Sequence, residues 1–395
     1  MTTSSEIGRA AEFAACHQTY IHFLSPNDTG LTKSHQAGIL MSKSSWPIMF
    51  DEQPVRDGSA GNTERFVKIL WQDGEHEETN SRFIYYRTGT RNEFRLTRFG
   101  RGFKRLKPEC TGNLFVLCRA GKDIYKAWTF STDDDIQAFL DAFGLNPTDT
   151  NRLISGNILS PDAASVMNRM TKFAESLVDF PDTETMAAQA RKFYEDTLKT
   201  QEKSPDELLM RWIDTEYLLF RAIEKTFYTD VVEYGFSSIE SFLACAQTIL
   251  QRRKARAGKS FEHHLGALFT RHHLRYTPQG VTELNKRPDF VFPSIEAYHD
   301  SSFPHENVIV LAAKTTCKDR WRQVLSEADK VSTHYLATLQ QGISPAQCRE
   351  MQDSNVRLVV PKSNRDTFPE EFRPSVLTLD EFLSLARRTQ QVPSI

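Results

Sequence analysis

The chain has 395 residues, 39% of them hydrophobic and 25% charged, with a formal net charge of −2. That length suits two domains, and the composition suits ordinary soluble cores. The longest apolar run, 308–313, falls far short of the roughly 20 residues a membrane helix needs. The N-terminus lacks the apolar core of a signal peptide, and the six scattered cysteines form no CxxC pair. A zinc framework or disulfide scaffold is therefore not indicated, and a reducing, cytoplasmic compartment is expected.

From residue 14 to about 160, short apolar bursts are broken by Gly, Asn and Asp. This predicts a mainly β N-terminal domain, with one helix near 133–144. Within it, residues 82–107 carry nine basic side chains and one acid, Glu93. Residues 252–259 carry five basic side chains and no acid. Basic stripes on a near-neutral chain suit a phosphate-binding protein, and equally a solvated surface. Residues 169–205 are polar and lack a long apolar face, which predicts a partly helical connecting segment.

After Pro205 the apolar spacing turns helical. Three helices are expected, over 206–227, 237–254 and 259–273, with Ser238 as the cap of the second. A short strand follows at 288–294 and a β-rich strand at 308–314. A helix over 319–339 and a buried strand at 356–361 complete the pattern. These elements describe an α/β core, and no internal repeat is visible.

Two neighbouring strands bring Asp289 and Lys314 to one edge of that sheet, and Glu327, on the expected helix, turns back towards the same point. Glu262, on an earlier helix, completes a carboxylate set. Phosphodiester hydrolysis uses these residue types. Carboxylates hold a hard cation such as Mg²⁺, and a lysine orients or deprotonates water and stabilises developing charge. Such spacing also arises by chance, and the competing reading is a capping aspartate, a surface lysine and a solvated glutamate. RAGKS at 256–260 lacks the first glycine and the preceding strand of a nucleotide-binding loop. His263-His264 and His272-His273 lack metal-ligand spacing.

RRKARAGKSFEHHLGALF, KRPDFVFPS, AYHD, AAKTTCKDRWRQVLSEADK and VRLVVP together closely resemble the EcoRII restriction endonuclease family. More weakly, NDTG…HQAG (27–38) and YY…TRNEFRLTRFGRG (85–102) resemble the DNA-contacting arms of that family's effector domain. The resemblance implies an active site of Asp289, Lys314 and Glu327 in a variant PD-(D/E)XK fold, with Asp289 and Glu327 holding Mg²⁺. It implies a β pseudobarrel N-terminal domain like those of plant transcription factors. The corresponding units are an effector domain over 1–168, a hinge over 169–205 and a catalytic domain over 206–395.

It also implies cleavage of double-stranded DNA before the first C of CCWGG by a homodimer, activation by a second copy of the site, and pairing with a cognate DNA cytosine methyltransferase. Lys318, Asp319 and Arg320 become candidates for reading G·C pairs, by donation to guanine and acceptance from cytosine. Otherwise they form an ordinary surface salt-bridge cluster. Trp212 is a candidate for stacking on an extruded base or a core tryptophan. On the effector arms the candidates are His35, Gln36, Arg91, Asn92, Glu93, Arg95 and Arg98. A DNA-binding regulator with an inactive nuclease domain is the alternative function.

Overall fold

The computed structural model describes residues 4–32, 38–55, 61–74, 77–87, 91–154, 161–197 and 203–390. The N-terminal half forms an eight-stranded sheet. Its strands are β1 (Thr19–Phe23), β2 (Ile39–Met41), β3 (Thr63–Trp71), β4 (Glu77–Tyr86), β5 (Glu93–Thr97), β6 (Leu114–Arg119), β7 (Ile124–Phe130) and β8 (Arg152–Leu153). Their order is β2-β5-β4-β3-β7-β6-β1-β8. Every pairing is antiparallel except β3 with β7.

Alternation along the strands sends Trp71, Phe83, Phe115 and Tyr125 to one core and Ile21, Phe23, Val116 and Phe130 to another. The second core is closed by helices α1 (Ser4–Cys16) and α2 (Asp133–Phe143). Helix α1 was not expected from the sequence. Helix α2 was, and it carries its own signals: the Thr132 hydroxyl caps the first turn and Gly144 ends the helix at φ 66°.

The connecting segment contains α3 (Pro161–Glu175) and α4 (Thr183–Thr197). Their apolar residues are few but concentrated. Met170, Ala174, Met186, Ala190 and Phe193 bury against Leu219, Phe220 and Ile223 of α5 (Pro205–Tyr234). A boundary at 168 thus falls inside a helix that packs on the C-terminal half.

Helix α6 (Ile239–Arg271) joins the second and third expected helices into one rod of 33 residues. The basic run 252–259 lies inside it. Much of that charge is committed within the protein. Arg253 pairs with Glu224 and donates to the Ala142 carbonyl. Arg256 donates to the Gly144 carbonyl at 2.7 Å, and Arg252 lies over the Phe180 ring.

The second sheet has six strands, β9 (Thr277–Pro278), β10 (Phe290–Phe292), β11 (Ile309–Lys314), β12 (His334–Thr338), β13 (Val356–Val360) and β14 (Leu377–Thr378). β9, β10 and β11 are antiparallel neighbours, whereas β11 to β14 run parallel. Ile309, Leu311 and Ala313 face α5, α6 and α8 (Leu379–Gln390). Ala312, Leu336 and Leu358 face Trp321, Val324 and Phe368 on the other side.

The helix expected over 319–339 is instead α7 (Trp321–Val324), a turn, and then β12. Every residue of β12 is buried. A parallel strand covered on both faces reads as a continuous apolar run, which periodicity alone does not separate from a buried helix.

Candidate active site and DNA-reading surface

Asp289 immediately precedes β10, and Lys314 ends β11, so antiparallel pairing of the two strands brings both to one edge. Asp289 is 7% exposed and accepts three hydrogen bonds. The Ala313 backbone N–H donates to Oδ2 at 2.7 Å, Lys314 Nζ donates to Oδ2 at 3.1 Å, and Gln279 Nε2 donates to Oδ1 at 2.9 Å.

Burial disfavours charge on Lys314, but Asp289 and Glu327 outweigh it and lift the amine above its ordinary value. In the ion-free protein Lys314 is therefore a charged ammonium.

Glu327 lies in a bend three residues beyond α7 rather than on a helix. Burial, opposed by Lys314 and reinforced by Asp289, pushes its carboxyl up to about 7. Its Oε2 is buried without a hydrogen-bond partner. Glu262 sits on α6, held by Lys259 Nζ at 2.9 Å and approached by Gln279 Nε2 at 3.4 Å. Burial, with Asp289, raises its carboxyl as well.

An adjoining cleft of about 630 Å³ is lined by Arg191, Glu262, His263, Tyr276, Gln279 and Asp289. Among the described residues no group of three His, Cys, Asp or Glu side chains is drawn together tightly enough to hold a metal. The donors nonetheless suit a hard divalent cation. Glu327 has an orphaned buried oxygen, and Asp289 keeps acceptor capacity on Oδ1.

The three base-reading candidates are brought together but turned towards the N-terminal half. Lys318 is 2% exposed, with Nζ on the Thr111 carbonyl at 3.0 Å and on Asn113 Oδ1 at 2.8 Å. Burial lowers its amine to about 8. The backbone N–H groups of Lys318, Asp319 and Arg320 all donate to the Asp133 carboxylate, at 3.0, 2.8 and 2.9 Å. Arg320 Nη2 also meets Asp134 at 2.6 Å.

Trp212, the candidate for base stacking, packs in the core of the C-terminal half. It is 2% exposed in the core, with the His264 ring at 5.9 Å and the Arg191 guanidinium at 5.9 Å. In this DNA-free structure Trp212 has the surroundings of a core tryptophan.

On the effector arms, His35 and Gln36 lie outside the described residues. Arg91 is exposed and sits over the Tyr86 ring, and Asn92 accepts from the Tyr85 hydroxyl at 3.0 Å. Arg98 is exposed over Phe66 at φ 65°. Arg95, however, is 3% exposed and paired with Glu93 at 3.0 Å, so it supports the arm from within. Sequence reasoning missed Gln279 and the Asp133 and Asn113 contacts. A lone glutamine after a Thr-Pro pair carries no motif, and the acids of α2 read as ordinary first-turn residues.

An acid and a lysine on paired strands, with Glu262 and Glu327 near them and helices on both faces, are the groups that a nuclease of phosphodiester bonds uses. The chain matches the family models described as EcoRII C terminal, over residues 220–383, and restriction endonuclease EcoRII, N-terminal, over residues 14–147. It is 38% identical over 385 residues to the type II restriction enzyme EcoRII of Escherichia coli, covering 92% of this chain and 93% of that one.

The type II restriction enzyme SsoII of Shigella sonnei is 26% identical over 214 residues, covering 46% of this chain and 68% of that one. Among solved structures, metal-depleted Ecl18kI in complex with uncleaved, modified DNA aligns at a TM-score of 0.46 and 23% identity, over 60% of this chain and 88% of that one. A PspGI–substrate DNA complex aligns at 0.44 and 15%, over 53% and 93%. The chain belongs to the EcoRII family of type II restriction endonucleases.

Proposed function

We propose that the protein cuts double-stranded DNA before the first C of CCWGG, using Mg²⁺ held by Asp289 and Glu327. The observation that carries this is the Asp289–Lys314 contact at 3.1 Å, with Glu327 close enough to perturb Lys314, on a chain 38% identical to EcoRII. When bound, the ion supplies charge neutralisation at the phosphate and an acidified water. Lys314, fixed by Asp289, presents its ammonium to the phosphate oxygens and orients the attacking water. Glu262 lies within the same field and supports the carboxylate set.

We assign Lys318, Asp319 and Arg320 to reading G·C pairs once the N-terminal half has moved away. The contacts of Asp133, Asp134, Thr111 and Asn113 with these residues support a closed, self-inhibited state. In this reading the N-terminal half is an effector domain of pseudobarrel type, and it opens the enzyme when it binds a second copy of the site. Arg91, Asn92 and Arg98, with His35 and Gln36, take the DNA contacts there. Residues 169–205 supply the hinge.

A palindromic site calls for a homodimer. The turn between α5 and α6 supports one, because Val232, Tyr234, Ile239, Phe242 and Leu243 are all exposed there, and apolar patches of this kind mark interfaces. A cognate cytosine methyltransferase protects the host in the same reading. A regulator with an inactive nuclease domain is disfavoured, because Asp289, Lys314 and Glu327 are all retained.

The test is digestion of plasmids carrying CCWGG with Mg²⁺, followed by sequencing of the fragment ends. Discrete fragments with five-base overhangs are expected. Binding without cutting would establish the regulator.

A further inference from the structure

We propose that Gln279 is a positioning residue that fixes the Asp289 carboxylate and ties it to Glu262. The inference rests on the nuclease reading above. Gln279 follows β9, and β9 pairs with β10 through Phe290↔Pro278 and Val291↔Thr277. That pairing sets the glutamine beside the start of β10. Its backbone N–H donates to the Asp289 carbonyl at 3.2 Å. Its side-chain amide donates to Asp289 Oδ1 at 2.9 Å and lies 3.4 Å from Glu262 Oε2. One amide group therefore spans two carboxylates.

The backbone reinforces this assignment. Gln279 has φ 51°, a left-handed conformation that glycine adopts freely and that asparagine tolerates better than other side chains. The local chain would be served better by glycine, and what glycine lacks is the amide. Strain of this kind gathers at functional sites, where the surrounding structure over-determines it.

The accounting at Asp289 points the same way. A carboxylate has about four acceptor positions. Ala313 and Lys314 take two on Oδ2, and Gln279 takes one on Oδ1. Oδ1 keeps acceptor capacity for a cation, and Gln279 sets how that oxygen is presented. It also offers a donor between two like charges that would otherwise repel within the cleft. Groups that orient ligand side chains in this way influence ion affinity and activity together.

The experiment uses the full-length chain and three variants. Gln279→Gly removes the amide while relieving the backbone, and Gln279→Met keeps the side-chain length and the strain. Three quantities are measured: the unfolding midpoint without ion, the Ca²⁺ concentration that half-saturates the rise in that midpoint, and the Mg²⁺ dependence of cleavage. Gln279→Gly and Gln279→Met are both expected to raise the Ca²⁺ and Mg²⁺ midpoints roughly 10- to 100-fold. Gln279→Asn, which keeps a carboxamide at a tolerated φ, should recover part of the loss.

A merely structural role would lower the ion-free midpoint of Gln279→Met and leave its ion dependence unchanged, which overturns the proposal. If wild-type protein fails to cut, the nuclease reading falls. If wild type cuts and Gln279→Met matches it in both ion titrations, only the role of Gln279 falls.

Discussion

Asp289 draws its three donors from three places in the chain: the residue after β9, the penultimate residue of β11 and the lysine that ends β11. The carboxylate is thus part of the local fold as well as of the site, and that decides how to remove it. Asp289→Ala would strand the Ala313 N–H, at a cost of about 1–3 kcal/mol. Asp289→Asn removes the charge and keeps one acceptor oxygen for the Ala313 N–H, while its NH2 group replaces the oxygen that accepts from Gln279. Asp289→Asn and Lys314→Ala are both expected to lower cleavage by at least roughly 100-fold with near-normal unfolding curves. Either variant cutting at the wild-type rate in saturating Mg²⁺ would remove these residues from the site.

Glu327 adds a pH dependence. Its carboxyl is raised from 4.5 to about 7, so the ion-free fold holds a proton between those values that a free glutamate would have lost. Cation binding must expel that proton. Below pH 7, the Mg²⁺ concentration for half-maximal cleavage should rise by about tenfold per unit, and above pH 8 it should level off. Titrations at pH 6, 7 and 8 check this, and a midpoint that does not move would show that Glu327 is not a ligand.

At the scale of elements, the strong signals were those with both a period and a cap. Helices α5 and α6 begin with Ser204 and Ser238, whose hydroxyls accept from the backbone three residues on. The charged run 252–259 interrupts the apolar pattern, so the sequence divides one rod into two helices. Nothing in that run breaks a helix except Gly258, which is exposed and has open space around it.

The sheet edge bearing Asp289 and Lys314 was legible because strand ends are marked by short apolar runs. Glu327 was expected to turn back from a helix, whereas the structure at that residue is a bend. β12 was lost to the ambiguity of a buried parallel strand.

Energetically α6 divides along its length. Phe269 is fully buried against Phe290, Phe292 and Phe382. Phe269→Ala should destabilise the protein by about 3–5 kcal/mol, since it leaves a cavity in a rigid aromatic cluster. Phe242, at the other end of α6, is 49% exposed. Phe242→Ser should stay within about 0.5 kcal/mol for the isolated chain. Urea unfolding at low protein concentration separates the two, and equal losses would mean that the exposed end is packed in solution.

The two halves meet through α2 and α6, where Arg253 and Arg256 hold the Ala142 and Gly144 carbonyls, and through polar contacts at and around the surface proposed to read bases. The Thr315 hydroxyl donates to Gln137 at 3.0 Å, and the Gln341 side-chain amide donates to the Pro147 carbonyl at 2.8 Å. Gly112 fits so closely that an added Cβ would meet the Gly342 carbonyl oxygen at 2.2 Å. The strongest element of the contact is Asp133. Its carboxylate takes the N–H groups of three consecutive residues; against burial, a side-chain hydrogen bond with Asp319, followed by these three, holds its own carboxyl below the usual range.

Asp133 lies outside the nuclease machinery, so its removal should act on the closed state alone. Charge-assisted hydrogen bonds contribute about 1.5–3 kcal/mol each, but water replaces most of that once the halves separate. A net loss of about 2–3 kcal/mol is the reasonable scale, or roughly 30- to 150-fold in the ratio of closed to open molecules. Asp133→Ala should therefore cut a single-site plasmid faster than wild type, by up to that factor. A chain lacking residues 1–160 sets the upper limit. The deletion ends there because Met170 and Ala174 of α3 belong to the core on α5. A short duplex carrying the site, added in trans, should speed the wild type strongly and Asp133→Ala little. If wild type already cuts the single-site plasmid as fast as the deleted chain, the contact is a static interface, and the effector domain adds only a second grip on DNA.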